Sequence, residues 1–229
     1  MRMKPWNDLP EQLRRAEVRP YYDTLAGKGM SLLIKRGFDL VLSGLLLLLL
    51  SPVFLLLAIA IKLDSPGPVF FRQERITTWG KPFRIFKFRT MVENAPAQGP
   101  ALTVSQDPRV TRVGRFLRRF HLDELGQLID VFRGTMSFVG TRPEVPRFVA
   151  AYTPEMRATL LLPAGITSRA SLLFRDEAGL LAGTDHPEEI YLEQILPRKM
   201  KCNLEDILEF SLRRDIAVLL RTLYTVLFK

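Results

Sequence analysis

An unbroken run of apolar and small residues dominates the first quarter of the chain. Leu40 through Ile61 carries no charged side chain, and the run is bounded by Asp39 and Lys62. It is long enough to cross a bilayer as a helix. Ser51 and Pro52 stand near its centre, where proline removes a backbone N–H and clashes with the carbonyl four residues earlier. We therefore predict a bend at this point.

Lysine and arginine flank the run on both sides. Those before it are Lys28, Lys35 and Arg36, and those after it are Lys62, Arg72, Arg75, Lys81 and Arg84. Positive charge favours the cytoplasmic side of a membrane, so both flanks prefer the same side. This favours a re-entrant helix-break-helix over about residues 31–63, with the freed backbone groups satisfied by the serine hydroxyl or by neighbouring structure. A single kinked span is the alternative.

A second pattern is that of a basic amphipathic helix ending in two carboxylates. Apolar residues at helical spacing alternate with arginines: Val110, Val113, Phe116, Leu117 and Phe120 against Arg109, Arg112, Arg115, Arg118 and Arg119. One face is expected to pack and the other to attract anions. Asp123 and Glu124 follow, and then Gly140-Thr141-Arg142-Pro143. Carboxylates beside guanidinium groups indicate phosphate chemistry; a solvated basic helix with local ion pairs is the alternative.

Alternating residues after the apolar run predict a small β-hairpin. Its strands cover Pro68–Gln73 and Phe83–Arg89, and Thr77–Lys81 contains the turn glycine. In the second strand Lys87 and Arg89 share a face and could together contact a phosphate. Solvated side chains on an edge strand are the alternative.

Three later segments also have a pattern. Leu122–Phe132 is predicted to be helical, and its inward residues are Leu125, Leu128, Ile129 and Phe132. Leu204–Phe228 is amphipathic, which suits either a membrane surface or a core-packing helix. Residues 93–107 form a predicted loop, and Asp185 caps a predicted helix start.

Composition limits the partners and the kinds of site. The 229 residues carry a formal net charge of +9 and give a pI near 10.0, which implies nucleic acid, phospholipid headgroups or phosphorylated substrates as partners. Cys202 is the only cysteine, so an intrachain disulfide is excluded. His121 and His186 have no partner at metal-ligand spacing. Residues 1–29 form a polar extension, and residues 30–229 form one domain.

Nine short sequence motifs occur in order along the chain. The motifs are Lys35-Arg36-Gly37-Phe38-Asp39, Ser51-Pro52, Ser65-Pro66-Gly67-Pro68-Val69-Phe70-Phe71, Gly80-Lys81-Pro82-Phe83, Lys87-Phe88-Arg89-Thr90-Met91, Asp107-Pro108-Arg109-Val110-Thr111-Arg112-Val113-Gly114, Leu122-Asp123-Glu124-Leu125, Ser137-Phe138-Val139-Gly140 and Pro163-Ala164-Gly165-Ile166-Thr167. A single match is weak, whereas nine in sequence are specific. Together they resemble one family, the bacterial sugar transferases or monotopic polyprenyl-phosphate phosphoglycosyl transferases in their small catalytic form.

The resemblance implies a fold, a location and a reaction. The fold is mixed α/β and mostly helical, with a re-entrant membrane helix-break-helix, amphipathic interfacial helices and a small β-hairpin. Such an enzyme is expected at the cytoplasmic face of the bacterial inner membrane, among phospholipids. It is expected to transfer a sugar-1-phosphate from a UDP-sugar to polyprenyl (undecaprenyl) phosphate, to release UMP and to start cell-surface glycan assembly such as exopolysaccharide biosynthesis.

The family's site residues map onto this sequence one by one. By resemblance, Asp123 attacks the β-phosphate of the donor and becomes a phosphosugar-aspartyl intermediate, and Glu124 holds Mg²⁺ on the diphosphate. A metal and arginines would neutralise oxygens that a carboxylate could otherwise hardly approach. The expected phosphate contacts are Arg118, Lys87 and Arg89, and the expected nucleotide contacts are Arg142 and Pro143.

Departures from the family pattern keep some points open. Thr141 stands where the family usually has proline, Asp130 replaces a common asparagine, and residues 168–171 differ from the frequent Gly-Leu-Ala-Gln. The sugar, the pathway and the oligomeric state, with a homodimer among the options, are not indicated. A catalytically inactive membrane scaffold of the same fold is the alternative function. A nucleic-acid-binding protein rests on basicity alone, so no nucleic acid is expected as partner.

Overall fold

A computed structural model describes residues 2–93, 107–176, 179 and 186–228. Most of the predicted loop at 93–107 and the predicted cap at Asp185 lie outside these residues. The helices are α1 (Arg19–Ala26), α2 (Gly29–Leu49), α3 (Ser51–Asp64), α4 (Arg112–Arg119), α5 (Gln127–Arg133), α6 (Pro146–Ala150), α7 (Arg169–Leu173), α8 (Pro187–Ile190), α9 (Leu196–Leu208) and α10 (Leu212–Phe228). The strands are β1 (Phe70–Thr77), β2 (Lys81–Phe88), β3 (Met136–Val139) and β4 (Ala164–Thr167).

The apolar run is broken where proline predicts a break. Helices α2 and α3 meet at an angle of 60°. The Ser51 hydroxyl donates to the Leu48 carbonyl at 2.8 Å, the acceptor that an N–H at position 52 would otherwise use. Among the described residues no single helix has the length and apolar composition of a membrane span. Helices α2 and α3 have them only together, as a bent pair.

Charged residues at the start of α2 fasten this helix to the rest of the fold. The Lys35 ammonium donates to the Val139 carbonyl at 2.9 Å, and the Asp39 carboxylate accepts from the Phe138 amide at 3.2 Å. Arg36 donates to the Val131 carbonyl at 2.7 Å, near the end of α5. Helix α2 is therefore held at its polar end, and its apolar outer face is exposed.

Half of the exposed large apolar side chains among the described residues lie on the bent pair. Its members on α2 and α3 include Leu40, Val41, Leu45, Leu48, Leu49, Leu55, Leu56, Ile59 and Leu63. Phe116 and Phe120 of α4 are also exposed, at 54% and 50%, with ring centroids 4.9 Å apart. We expected these two rings to pack inward, and that prediction was wrong. Helix α4 buries Leu117 and Gly114 and packs beside α3. The face of α4 that is buried is therefore narrower than the row of apolar residues in its sequence.

Two small sheets support the site. Strands β1 and β2 form the predicted antiparallel hairpin, and its turn uses left-handed backbone at Trp79 and Gly80 (φ 60° and 73°). Strands β3 and β4 pair in parallel, with Ser137 opposite Gly165. The hairpin lies between two apolar clusters, because Ile85 packs with α5 and β3 whereas Phe88 packs with α3 and α4.

The N-terminal extension and α9 share one core. The predicted amphipathic segment Leu204–Phe228 is divided between α9, whose Leu204 and Ile207 are buried, and α10, whose Leu220 and Leu223 are exposed. Residues of the N-terminal extension are buried in the same cluster as α9, including Leu9, Leu13, Val18, Tyr21 and Leu25. The segment before residue 30 therefore packs against the domain.

Candidate active site

The two adjacent carboxylates lie on a tight turn. Leu122–Gly126 forms a 3-10 helix that leads into α5, where a continuous α-helix was predicted. His121, just before it, has a φ of 54°, a left-handed conformation that costs a non-glycine residue about 1 to 3 kcal/mol and clusters at functional sites. A Cβ on Gly126 would lie 2.8 Å from the Phe86 carbonyl, so this glycine lets the turn pack closely against β2.

Glu124 is held by two cations from different elements. Its Oε1 accepts from the Lys87 ammonium at 2.9 Å. The Arg142 guanidinium binds both carboxylate oxygens, with an Nη1 to Oε2 distance of 3.2 Å. Burial alone would raise the pKa of Glu124, but Arg142 and Lys87 outweigh it and hold that pKa well below its usual range. Glu124 is therefore ionised, in a fixed position.

Asp123 differs from its neighbour in its electrostatics. Burial raises the pKa of this carboxyl, and Glu124 adds to that rise, whereas Lys87 and Arg118 oppose it. Arg118 is close enough to act on the charge of Asp123, and its Nε donates to the Thr90 hydroxyl at 2.9 Å. Two adjacent carboxylates with pKa values moved apart are typical of groups with different catalytic roles.

The segment that carries Arg142 is fixed through its backbone. The Gly140 amide donates to the Thr167 carbonyl at 3.0 Å, and the Gly165 amide donates to the Thr141 carbonyl at 2.8 Å. A Cβ on Gly165 would lie 2.2 Å from the Gly140 nitrogen, so only glycine permits this approach of the two strands. The unusual Thr141 contributes its carbonyl to this pairing.

Lys87 and Arg89 have different partners in the structure, although we predicted that they could together contact a phosphate. Lys87 binds Glu124, whereas Arg89 is buried and donates to the carbonyls of Ser65 and Pro66, at 2.7 Å for Ser65. Arg89 follows the last residue of β2, so strand alternation does not decide where its side chain points. In this structure Arg89 supports the turn after α3.

Pro143 is placed beside the site through its backbone. Its carbonyl accepts from Arg75 at 3.0 Å. Arg75 and Thr90 were not predicted as supporting residues. The Lys-Phe-Arg-Thr motif contains Thr90, and no local signal distinguishes Arg75 from the other arginines of the hairpin.

The dyad can be tested as a place for Mg²⁺. Among the residues the structure describes, no three or more acidic, histidine or cysteine side chains converge as a metal cage. Mg²⁺ is usually bound by one or two carboxylates together with substrate phosphates, not by an all-protein cage. The adjacent oxygen donors of Asp123 and Glu124 fit that kind of site.

Comparisons with known proteins agree on one family. The family model described as bacterial sugar transferase matches residues 30–229. The chain is 38% identical over 217 residues to the UDP-glucose:undecaprenyl-phosphate glucose-1-phosphate transferase of Escherichia coli (strain K12), covering 93% of this chain and 44% of that protein. A protein of the same name from Caulobacter vibrioides is 40% identical over 198 residues, covering 84% of this chain and 69% of the relative.

A third relative is named for a different sugar. The UDP-N-acetylgalactosamine-undecaprenyl-phosphate N-acetylgalactosaminephosphotransferase of Aeromonas hydrophila is 34% identical over 197 residues, which cover 85% of this chain and 44% of that protein. The chain thus spans less than half of two of these three relatives. The family model covers most of this chain, dyad and bent helix pair included. The chain belongs to the bacterial sugar transferase family.

Proposed function

We propose that this protein transfers a sugar-1-phosphate from a UDP-sugar to polyprenyl phosphate, by way of a covalent intermediate on Asp123. The observation that carries the proposal is the fixed Glu124, held by Lys87 and Arg142 beside a partly exposed Asp123 whose pKa is raised. The relatives are named as undecaprenyl-phosphate sugar-phosphate transferases, which supports the same substrate class here.

The reaction divides into two displacements at one phosphorus atom. An Asp123 oxygen attacks the β-phosphorus, the bond from that phosphorus to the bridging oxygen breaks, and UMP leaves with the bridging oxygen. An oxygen of polyprenyl phosphate then attacks the same phosphorus and restores the carboxylate. Splitting the transfer means that the two large anionic substrates need not be held at once.

The cations around the dyad supply charge compensation. Arg118, anchored by Thr90, lies on the Asp123 side, and Lys87 and Arg142 lie on the Glu124 side. A diphosphate would compete with Glu124 for Lys87 and Arg142, because arginine binds phosphate oxygens in the same bidentate way as it binds carboxylate. Arg142 and Pro143 then form the nucleotide side of the site, and Arg89 acts by supporting the turn at Ser65.

Mg²⁺ held by Glu124, with Asp123 beside it, would supply neutralising charge to the donor diphosphate. The chain's own contribution is to keep the Glu124 carboxylate ionised and pointed at the nucleophile's neighbourhood, which the two ion pairs achieve. Each of its oxygens already accepts a protein hydrogen bond, so the site is preorganised before any substrate arrives.

The bent pair is proposed as a re-entrant anchor in the cytoplasmic membrane leaflet. Its two ends carry lysine and arginine, its outer face is apolar, and the 60° bend at Ser51 has its freed carbonyl satisfied. The exposed rings of Phe116 and Phe120 suit insertion at the headgroup boundary, close to where a polyprenyl phosphate would present its phosphate. Phospholipids are therefore proposed partners.

UMP release tests the proposal. Detergent-purified protein is incubated with undecaprenyl phosphate, Mg²⁺ and a panel of UDP-sugars, and UMP is measured. We expect release with at least one donor and none from Asp123→Asn. Asp23→Asn is the matched control, because Asp23 forms an exposed ion pair with Arg19 away from the dyad. Release equal in wild type and Asp123→Asn would refute the role of Asp123, and no release with any donor would favour the inactive scaffold.

A further inference from the structure

Three buried polar side chains form a cluster around Glu144, two residues after Arg142. Glu144 is 7% exposed, Tyr191 4% and Lys199 5%. The Tyr191 hydroxyl donates to Glu144 Oε1 at 2.5 Å, and the Lys199 ammonium donates to the Tyr191 hydroxyl at 3.2 Å and lies 3.8 Å from the same carboxylate oxygen. Buried charge is costly unless it is paired and hydrogen bonded. The hydrogen bonds of this cluster therefore hold its three side chains in one fixed arrangement.

The helix that supplies Tyr191 and Lys199 contains the local irregularity this cluster requires. Tyr191–Ile195 is a π-helical turn between α8 and α9. In a regular α-helix, residues eight apart differ by about 80° around the axis, whereas the extra residue of one π-turn reduces this to about 20°. The turn thus brings Tyr191 and Lys199 onto one face, toward Glu144. Such turns are frequent at functional sites.

The cluster is connected to the dyad through a few short links. The Glu144 carbonyl accepts from the Ile76 amide at 3.0 Å, and the preceding Pro143 carbonyl accepts from Arg75. Arg142, two residues before Glu144, binds the Glu124 carboxylate. The side chain of Glu144 therefore fixes one end of the segment whose other end is paired with β4.

We propose that Glu144, Tyr191 and Lys199 are positioning residues that set Arg142 for the uridine nucleotide and for Glu124. The proposal rests on the proposed function for the identity of the ligand. In this arrangement the π-helical turn and α9, which supply Tyr191 and Lys199, control donor binding without contacting the substrate. Loss of the Tyr191 hydroxyl releases the Glu144 side chain and lets Arg142 sample other positions.

Tyr191→Phe is the variant that tests this, because it removes only the hydroxyl. A hydrogen bond to a charged group is one of the stronger kinds in proteins, and if about half of its free energy reaches the loop, we expect the KM for the UDP-sugar to rise about four- to twelvefold. The kcat should change much less. Tyr152→Phe is the matched control. Tyr152 is also buried, and its burial and the nearby Glu144 carboxylate raise its pKa. Among the described residues its hydroxyl makes no hydrogen bond, so removing it should not affect Glu144.

Amide hydrogen exchange of residues 140–145 provides a second readout that needs no nucleotide. We expect faster exchange in Tyr191→Phe and in Lys199→Met, and wild-type exchange in Tyr152→Phe. Wild-type KM and wild-type exchange in Tyr191→Phe would overturn the inference, whether or not the melting temperature falls. If wild-type protein releases no UMP, the proposed function fails, and the exchange comparison still decides whether the cluster fixes the loop.

Discussion

Neutralising the two dyad carboxylates one at a time should separate catalysis from stability. Glu124→Gln keeps the shape of the side chain but leaves Lys87 and Arg142 without their anion. Removing one partner of a fully buried pair costs about 3 to 5 kcal/mol, and an exposed pair contributes under about 1 kcal/mol. The side chains of Glu124, Lys87 and Arg142 are 21%, 20% and 38% exposed, so we expect a loss of about 2 kcal/mol.

That loss has a measurable size and a pH dependence. About 2 to 4 °C per kcal/mol for a chain of this length gives a fall in apparent Tm of roughly 4 to 8 °C for Glu124→Gln. Because the pKa of Glu124 is lowered by folding, its contribution is present above the ordinary glutamate pKa and is lost as the pH falls through the folded value. The Tm difference from wild type should therefore shrink in strong acid.

Asp123→Asn should behave in the opposite way. Burial raises the pKa of Asp123, so an ionised carboxylate there opposes folding, and a neutral amide should leave Tm unchanged or slightly higher while UMP release is lost. Thermal unfolding in detergent, followed by intrinsic fluorescence, measures both variants under the same conditions. An equal fall in Tm for both variants, or a Glu124→Gln protein as stable as wild type, would refute this electrostatic assignment.

Three further predictions follow from the same structure. The rate of the donor half-reaction, measured as kcat/KM for UMP release against pH, should fall on acidification with a midpoint above the ordinary aspartate pKa, because Asp123 must be ionised to attack. Lys35→Met should lower the apparent Tm by leaving Asp215 of α10 without its partner, and the double variant with Asp215→Leu should recover part of it. Cysteines placed at Ala26 and Lys62, in a background without the native cysteine, should both react with an impermeant thiol reagent from the cytoplasmic side only; labelling from opposite sides would indicate a single span.

The sequence predicted the parts of the fold that depend on neighbouring residues. Pro52 predicted the break, and the Ser51 hydroxyl satisfies the freed carbonyl as expected. The turn glycine and the flanking alternation predicted the hairpin. The dyad and Arg142 were identified by resemblance, and the structure brings Glu124 and Arg142 together. Each of these features depends on a short stretch of chain or on a motif that is intact.

Features set by distant parts of the chain were not foreseen. Phe116 and Phe120 match an inward stripe in sequence, yet no element that the structure describes covers them, and only the tertiary packing of α4 decides this. Arg89 was expected beside Lys87, but the carbonyls after α3 take its donors. The link between Glu144 and Tyr191 joins residues 47 positions apart, and nothing in either local sequence points to it.

The most direct measurement is the mass of the peptide that contains Asp123 after incubation with a reactive UDP-sugar and Mg²⁺ in the absence of acceptor. We expect a sugar-phosphate adduct on Asp123 that disappears when undecaprenyl phosphate is added and that never forms in Asp123→Asn. Release of UMP to the acceptor with Asp123 unmodified throughout, or an adduct on any other residue, would contradict it.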